Sequence, residues 1–140
     1  MRKVRQVITF LYYRDIDKAT EFYRNIMGFE LAVDQGWAKI FKAAENAYVG
    51  VVDEKHGYHR VSSTKPVMLT FVVPDVDEWF RYVQRKGLHI LTQPRDNDEL
   101  GIRMFLLEDP EGYVVEIQKF KQASRLKQEN QGKGHSIDFR

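Results

Sequence analysis

The sequence predicts an α+β protein built from two tandem βαβββ modules. Three observations carry this prediction: a short motif that occurs twice, helical hydrophobic spacing after each copy, and an acidic turn that enters an alternating strand near the end of the second copy. Simple strand–helix alternation in a single βαβ protein is the alternative. We favour the duplicated arrangement because the repeat and the turn occur together.

The repeated motif is Leu-Tyr-Tyr-Arg-Asp-Ile-Asp at 11–17 and Phe-Val-Val-Pro-Asp-Val-Asp at 71–77, an offset of 60 residues. In each copy an apolar strand ends at an aspartate, Asp15 or Asp75, which is followed by an apolar residue and a second aspartate. An aspartate at a helix N-cap accepts hydrogen bonds from the amide groups of the first turn and complements the helix dipole. The motif therefore predicts a strand followed by a well-defined helix start in each half.

Helical spacing follows both aspartates. After each helix pattern a glycine, Gly28 or Gly87, stands where a left-handed residue closes a helix. The apolar residues at helical spacing are Ile16, Ala19, Phe22, Tyr23, Ile26 and Met27 in the first half, and Val76, Trp79, Phe80 and Val83 in the second.

Three short strands are predicted after each helix, which completes the βαβββ order. They are Phe29–Val33, Trp37–Ala43 and Ala47–Asp53, then His89–Thr92, Ile102–Glu108 and Tyr113–Phe120. We expect one domain over residues 1–120, with module one at about 5–54, a polar linker at 55–66 and module two at about 67–120. The remaining tail, 121–140, is polar and is expected to be mobile or a short surface helix, with a flap over a pocket as the alternative.

The turn Asp109-Pro110-Glu111-Gly112 leads into a strand in which Glu116 points away from the apolar side. With the duplicated β-Asp-helix motif, it makes residues 5–120 resemble the vicinal oxygen chelate superfamily, which includes glyoxalase I, extradiol dioxygenases and bleomycin-resistance proteins. The resemblance implies two curved mixed sheets that enclose a cavity. It also implies that the last strand supplies a glutamate as a metal ligand, which is Glu116 here.

The other ligand positions of metal-dependent relatives speak against a metal. In those relatives a ligand lies seven residues before each N-cap aspartate, which gives Ile8 and Met68 here, and the first module's last strand offers Tyr48 or Gly50. None of these is an imidazole or carboxylate ligand, and a catalytic ion normally has about three protein ligands. We therefore predict no metal and no other cofactor, with a divalent metal as the alternative.

Histidines elsewhere could still supply ligands. His56 and His59 are three residues apart, but Gly57 between them disfavours a helix, so we expect solvated side chains in the linker. Strand alternation places Ile8, Phe10 and Tyr12 on the cavity side of the first strand. The alternative for Ile8 and Phe10 is that they fill the core between the sheets.

These positions predict a small-molecule site with apolar walls and a few polar groups. The candidate ligand-binding residues are Phe10, Tyr12, Trp37, Tyr48, Met68, Arg103, Phe105 and Glu116. The side of the sheet on which Arg103 and Phe105 lie stays open at this point.

Two functions follow from this pattern. The first is a metal-free binding protein of the glyoxalase/bleomycin-resistance type, with a small aromatic or amphipathic ligand. The second is a lyase or isomerase that uses Glu116 as a general base, and a metal-dependent glyoxalase or dioxygenase with unrecognised ligands is a further alternative. The net charge of +2 weakens the case for a cationic drug, so the ligand is expected to be neutral or anionic.

Composition restricts the partners. The chain has no cysteine, which excludes disulfides and thiolate sites and fits a reducing, cytoplasmic setting. We expect no nucleic-acid partner, because the net charge is small, and no membrane partner, because no apolar run is long enough to span one. A homodimer is expected, because Phe29, Phe41, Trp79 and Tyr82 give more aromatic surface than one small core hides.

Overall fold

The computed structural model describes residues 2–122. In the first half, strand β1 is followed by the short helix α1, a π-helical turn and three further strands. Their bounds are β1 Val7–Tyr13, α1 Ile16–Thr20, the π-helix Glu21–Ile26, β2 Glu30–Asp34, β3 Ala38–Ala44 and β4 Ala47–Asp53.

The second half repeats this order. One strand and one helix are again followed by three strands, so the predicted two-module α+β fold is confirmed. The bounds are β5 Met68–Val72, α2 Val76–Arg85, β6 Arg95–Asn97, β7 Ile102–Glu108 and β8 Val114–Phe120.

Each half forms its own four-stranded mixed sheet, in the orders β1-β4-β3-β2 and β5-β8-β7-β6. The first strand of each half pairs in parallel with the last, and the other pairs are antiparallel. The described residues divide into two compact units: the first contains residues 2–66 together with the turn 109–112, and the second contains Val67–Glu108 and residues 113–122. The acidic turn thus belongs with the first unit, although the sequence places it in the second module.

Both helices begin as the sequence predicts. The carboxylate of Asp15 accepts hydrogen bonds from the amides of Asp17 (3.1 Å) and Lys18 (3.2 Å), and Asp75 accepts one from Glu78 at 3.0 Å. Gly28 (φ 78°) and Gly87 (φ 70°) take the left-handed conformation after the helices. The same local chemistry therefore starts and ends the helical segment in both modules.

Two predicted elements differ from the structure. The first helix changes to a π-helix at Glu21 instead of continuing as an α-helix. The predicted strand His89–Thr92 is wrong, because this segment makes only the isolated bridge from Ile90 to Leu107, and the strand here is Arg95–Asn97. The amides of Leu91 and Thr92 both donate to the carbonyl oxygen of Leu106, so a regular ladder does not form.

One side of each sheet carries that unit's core. In the first unit, Tyr13 and Phe41 pack with Tyr23 from the π-helix, and in the second, Phe105 packs with Phe80 of α2 at 5.3 Å between ring centroids. Side chains alternate along a strand, so the candidate binding residues fall on one side or the other according to their register. Within the part of the chain that the structure describes, no helix is long and apolar enough to cross a membrane.

Candidate functional site

Strand register in the first unit separates core residues from pocket residues. Phe10 pairs with Gly50 and Tyr12 with Val52, so these four residues share one face of the sheet. The intervening Leu11 and the following Tyr13 are buried on the other face. Phe10 and Tyr12 therefore lie on the face opposite the buried Leu11 and Tyr13.

An open pocket of about 270 Å³ lies on that face of the first unit. Its volume is close to the lower end, roughly 300 Å³, of small-molecule sites. Three of the predicted residues, Phe10, Tyr12 and Trp37, line it. The other lining residues are Gln35, Ala38, Val52, Gly57 and Tyr58, which the sequence alone did not single out.

The aromatic side chains of this pocket are unusually exposed for their size. The exposed fractions are 40% for Phe10, 47% for Trp37 and 89% for Tyr58. Exposed apolar groups gathered around a concavity mark binding sites more often than scattered surface residues do. The pocket therefore offers apolar faces that a planar ligand could cover.

Two histidines of the linker extend the aromatic cluster. His59 meets both Tyr12 (5.1 Å between ring centroids) and Tyr58 (4.9 Å) edge to face, and His56 lies 5.8 Å from Trp37. From the sequence, these histidines are expected to be solvated, with metal ligands as the alternative. The pattern that points to the pocket is the close spacing of His56, Tyr58 and His59 in the linker.

Two glycines bring the walls of the pocket close together. A Cβ atom at Gly50 would lie 2.3 Å from Cδ1 of Phe10, and one at Gly57 would lie 2.7 Å from Cε2 of Tyr12. Both distances are far inside van der Waals contact, so the two rings can occupy these positions only over glycine.

We expect Gly50→Ala to destabilise the protein by about 1–3 kcal/mol, since the new methyl group overlaps the Phe10 ring and neighbouring atoms must move. Urea unfolding of the variant and the parent measures this difference. The double variant Gly50→Ala/Phe10→Ala should recover most of the loss, because it removes the overlapping ring. Equal stability of Gly50→Ala and the parent would show that the ring does not lie over Gly50.

The second unit places a different set of groups on its non-helical face. Thr70, Glu116 and Gln118 share this face of β5 and β8. The carboxylate Oε1 of Glu116 accepts hydrogen bonds from Thr70 Oγ1 at 2.8 Å and from Gln118 Nε2 at 3.2 Å. Glu116 is only 8% exposed, which leaves its carboxyl group largely shielded from water.

Arg103 and Phe105 lie on the opposite, helix-facing side of the second sheet. Phe105 is fully buried against Phe80, and the guanidinium of Arg103 donates to Asp77 of α2 (2.8 and 2.9 Å) and to Asp96 of β6 (3.1 Å). Hydrogen bonds from Arg103 lower the pKa of both carboxyl groups. Arg103 and Phe105 therefore hold α2 against the sheet and lie on the face opposite Glu116.

The last two candidates do not line the aromatic pocket. Tyr48 shares the sheet face of Phe10 in the first unit, and Met68 shares the face of Thr70 and Glu116 in the second. Tyr48 pairs with Ile8, and its hydroxyl accepts a hydrogen bond from Gln6 at 3.2 Å. Met68 is 47% exposed on the edge strand β5. The structure thus gathers three of the eight candidates around one pocket and places Met68 and Glu116 on a second face.

The acidic turn has a structural role in the first unit. The hydroxyl groups of Tyr13 and Tyr23 both donate to Oδ2 of Asp109, at 2.5 and 2.8 Å, and Asp109 is 6% exposed. Burial, together with the nearby Tyr23 and Asp109, raises the pKa of the Tyr13 hydroxyl, so that this group stays a donor. Asp109 therefore ties the turn to β1 and to the π-helix.

Glu111 makes a second attachment of the same turn. Its carboxylate accepts hydrogen bonds from the Arg14 backbone amide (2.9 Å) and from the Arg14 guanidinium (2.8 and 3.0 Å). Burial alone would raise the pKa of Glu111, but the hydrogen bonds from Arg14 outweigh it and the pKa is lowered. The paired carboxylate thus remains charged and holds the turn against the start of α1.

The residues at the metal positions of the resembled superfamily do not fit a metal. Ile8 and Met68 offer no oxygen or nitrogen side-chain ligand, and the Oε1 atom of Glu116 already accepts two hydrogen bonds. Across residues 2–122, no cluster of three or more histidine, aspartate or glutamate side chains could hold an ion.

Comparison with known proteins agrees with this architecture. A model of the Glyoxalase/Bleomycin resistance protein/Dioxygenase superfamily matches residues 5–117. The uncharacterized protein YraH of Bacillus subtilis (strain 168) is 25% identical over an alignment of 119 residues that covers 78% of this chain and 93% of YraH.

Two crystal structures show the same fold. TioX from Micromonospora sp. ML1 superposes with a TM-score of 0.69 at 22% identity, over 84% of this chain and 99% of TioX. The lactoylglutathione lyase from Agrobacterium tumefaciens superposes with a TM-score of 0.68 at 21% identity, over 86% of this chain and 97% of the lyase. The duplicated βαβββ order and the match over residues 5–117 together show that the chain belongs to the glyoxalase/bleomycin resistance protein/dioxygenase superfamily.

Proposed function

We propose that the protein is a metal-free binding protein for a small aromatic or amphipathic molecule. The observation that carries this proposal is the open pocket of the first unit, whose walls are the rings of Phe10, Tyr12, Trp37 and Tyr58. A flat apolar ligand would cover these rings and remove their surface from water, which is the main source of affinity in such sites.

The polar groups around the pocket would orient the ligand. Gln35 lines it, and the imidazole rings of His56 and His59 contact Trp37 and Tyr12. Aromatic rings prefer edge-to-face and offset-stacked contacts, which add roughly 0.5–1.5 kcal/mol per pair beyond burial. This favours a ligand with at least one aromatic ring over a purely aliphatic one.

We expect Tyr12→Ala to weaken the binding of a small aromatic probe about tenfold or more, because it removes one wall of the pocket. Para-nitrobenzyl alcohol and para-nitrobenzoate serve as neutral and anionic probes, and binding is read from the rise in melting temperature at saturating probe. Tyr82→Ala on α2 is the matched control and should bind like the parent. Equal thermal shifts in the parent and in Tyr12→Ala would reject the pocket as the binding site.

An enzyme that uses Glu116 as a general base is the second candidate. It is favoured by the burial of this carboxyl group and by the hydrogen bonds that both end on Oε1, which leave Oε2 for a substrate. Glu116→Gln keeps the shape of the side chain and removes its basicity. Loss of turnover of a carbonyl compound in Glu116→Gln, with binding retained, would support this candidate.

We also propose that the protein is a homodimer. Phe41, one of the four aromatic residues expected to give surface for association, is fully buried in the first unit. Exposed apolar side chains lie instead on the edge strands of the two sheets: Val7 (67% exposed) and Phe10 on β1, and Val72 (52%) and Met68 on β5. Such strands and patches favour association.

Sedimentation velocity at micromolar concentration should therefore show twice the mass of the 16.5 kDa chain. Val7→Lys should shift the equilibrium towards the monomer, because a charge on an edge strand opposes association, and Val4→Lys, which lies before β1, is the control. A parent protein that sediments as a monomer would contradict the proposal.

A further inference from the structure

The face of the second unit that carries Glu116 also carries an unmatched hydrogen-bond acceptor. Gln118 is 1% exposed, and its side-chain oxygen Oε1 accepts no hydrogen bond. Buried polar atoms in folded proteins almost always have a partner, and exceptions cluster at functional sites. The Gln118 oxygen therefore indicates a donor that a ligand would bring.

The orientation of the Gln118 amide is determined by its neighbour. Nε2 donates to Oε1 of Glu116 at 3.2 Å. If the amide were turned over, its oxygen would face the carboxylate oxygen and two acceptors would meet. The nitrogen must therefore face Glu116, and the oxygen faces away from it.

The carboxylate of Glu116 also has an oxygen that could accept a further hydrogen bond. Both of its hydrogen bonds, from Thr70 and Gln118, end on Oε1, and among the described residues no lysine, arginine or histidine lies within ion-pair distance of it. A largely buried carboxylate is normally paired with a positive charge or with several donors. Oε2 of Glu116 and Oε1 of Gln118 are thus two acceptors to which the described residues donate no hydrogen bond, on side chains two residues apart on one strand face.

The edge strand β5 carries the neighbours of these acceptors. Thr70 lies beside Glu116, and Val72 lies beside Gln118. Thr70 and Val72 are exposed, whereas Glu116 and Gln118 are buried. The exposed border of this group of residues is therefore on β5.

We propose that Thr70, Glu116 and Gln118 form a site for the positively charged N–H donor group, an ammonium or an amidinium, of a small molecule. One N–H donates to Oε1 of Gln118 and another to Oε2 of Glu116, and the charge of the group balances the carboxylate. The proposal goes beyond the proposed binding function, because this site lies in the second unit and the aromatic pocket lies in the first. At this site we expect a cation, although the chain's net charge is +2, because nearby acceptors decide local recognition more strongly than charge spread over the chain.

The test uses benzylammonium, benzyl alcohol and benzoate with ¹⁵N-labelled protein in the presence of a chelator. We expect benzylammonium to shift the side-chain NH₂ signals of Gln118 and the backbone amide signals of Thr70 and Glu116. Benzyl alcohol should bind more weakly, and benzoate should leave these signals unchanged. Absence of a shift with millimolar benzylammonium, equal shifts with benzoate, or shifts that need an added divalent metal would each overturn the proposal.

Variants distinguish binding at this site from non-specific binding of benzylammonium elsewhere on the surface. Gln118→Met keeps a long unbranched side chain but removes the acceptor, and it should raise the Kd for benzylammonium about tenfold, as expected for one charge-assisted hydrogen bond. Gln84→Met on the exposed side of α2 is the matched control and should not change it. Glu116→Gln should abolish the preference for benzylammonium over benzyl alcohol, and a preference that persists in this variant contradicts the proposal.

Tyr12→Ala distinguishes the two proposals. It removes a wall of the aromatic pocket in the first unit but leaves Thr70, Glu116 and Gln118 unchanged. If the aromatic-pocket proposal fails and the donor site exists, benzylammonium still shifts the Gln118 signals in both proteins. If the donor site is absent and the pocket binds, the nitroaromatic probes raise the melting temperature while the Gln118 signals stay in place.

Discussion

Replacing Asp109 by alanine should lower the free energy of unfolding by about 3–5 kcal/mol and the melting temperature by roughly 10 °C. The carboxylate accepts hydrogen bonds from the hydroxyl groups of Tyr13 and Tyr23, and its Oδ1 accepts one from the backbone amide of Glu111. Removing it takes the charged acceptor away from two tyrosine hydroxyl groups in the core. A buried donor that loses a charged partner costs more than an exposed one, because water cannot replace that partner.

Asp98→Ala is the matched control, since the Asp98 side chain is 88% exposed, and this change should affect the melting temperature little. The triple variant Asp109→Ala/Tyr13→Phe/Tyr23→Phe should be more stable than Asp109→Ala alone, because it also removes the two hydroxyl groups that had donated to the carboxylate. A small loss of stability in Asp109→Ala, or no recovery in the triple variant, would show that the turn is held by other contacts.

The purified protein should contain no stoichiometric divalent metal and should show no glyoxalase activity. Ile8, Met68, and either Tyr48 or Gly50 stand where metal-dependent relatives would carry ligands, so Glu116 is left as the one carboxylate at those positions. One carboxylate binds nickel, zinc or manganese too weakly to retain it through dialysis, because affinity depends on several preorganised ligands. Without an ion, the enediolate of a glyoxalase reaction loses a stabilisation of several kcal/mol.

Elemental analysis after dialysis and an assay with methylglyoxal and glutathione measure both parts of this prediction. Addition of nickel, zinc or manganese to the assay should not produce activity. One metal ion per chain that is lost in Glu116→Gln would contradict the prediction. Such a result would indicate metal ligands outside the expected positions. His56 and His59 would then be the first residues to mutate.

Most of the fold could be predicted because its signals are local. Asp15 and Asp75 cap the helices through their own first turns, Gly28 and Gly87 take the left-handed conformation after them, and alternation gives the strand faces. The incorrectly predicted elements are those whose conformation depends on contacts between residues far apart in the sequence. The change to a π-helix accompanies the packing of Tyr23 with Tyr13 and Asp109, and the segment after Gly87 hydrogen-bonds irregularly to Leu106.

The site was harder to predict than the fold. Phe10, Tyr12 and Trp37 could be named because alternation and aromatic character are visible in the sequence. Tyr58 and the histidines could not, since their place in the pocket depends on how the linker returns to β1. Arg103 and Phe105 alternate on one face of β7, but only the contacts with α2 show that this face is the helical one.

Fluorescence titration of Trp37 tests the central claim most directly. The chain has two tryptophans, so Trp79→Phe leaves Trp37, at the pocket, as the single reporter. With a chelator present, para-nitrobenzyl alcohol or para-nitrobenzoate should quench this signal saturably at one molecule per chain, and Tyr12→Ala should weaken the effect about tenfold. Quenching that never saturates, that is unchanged in Tyr12→Ala, or that needs an added metal would contradict a metal-free aromatic binding site.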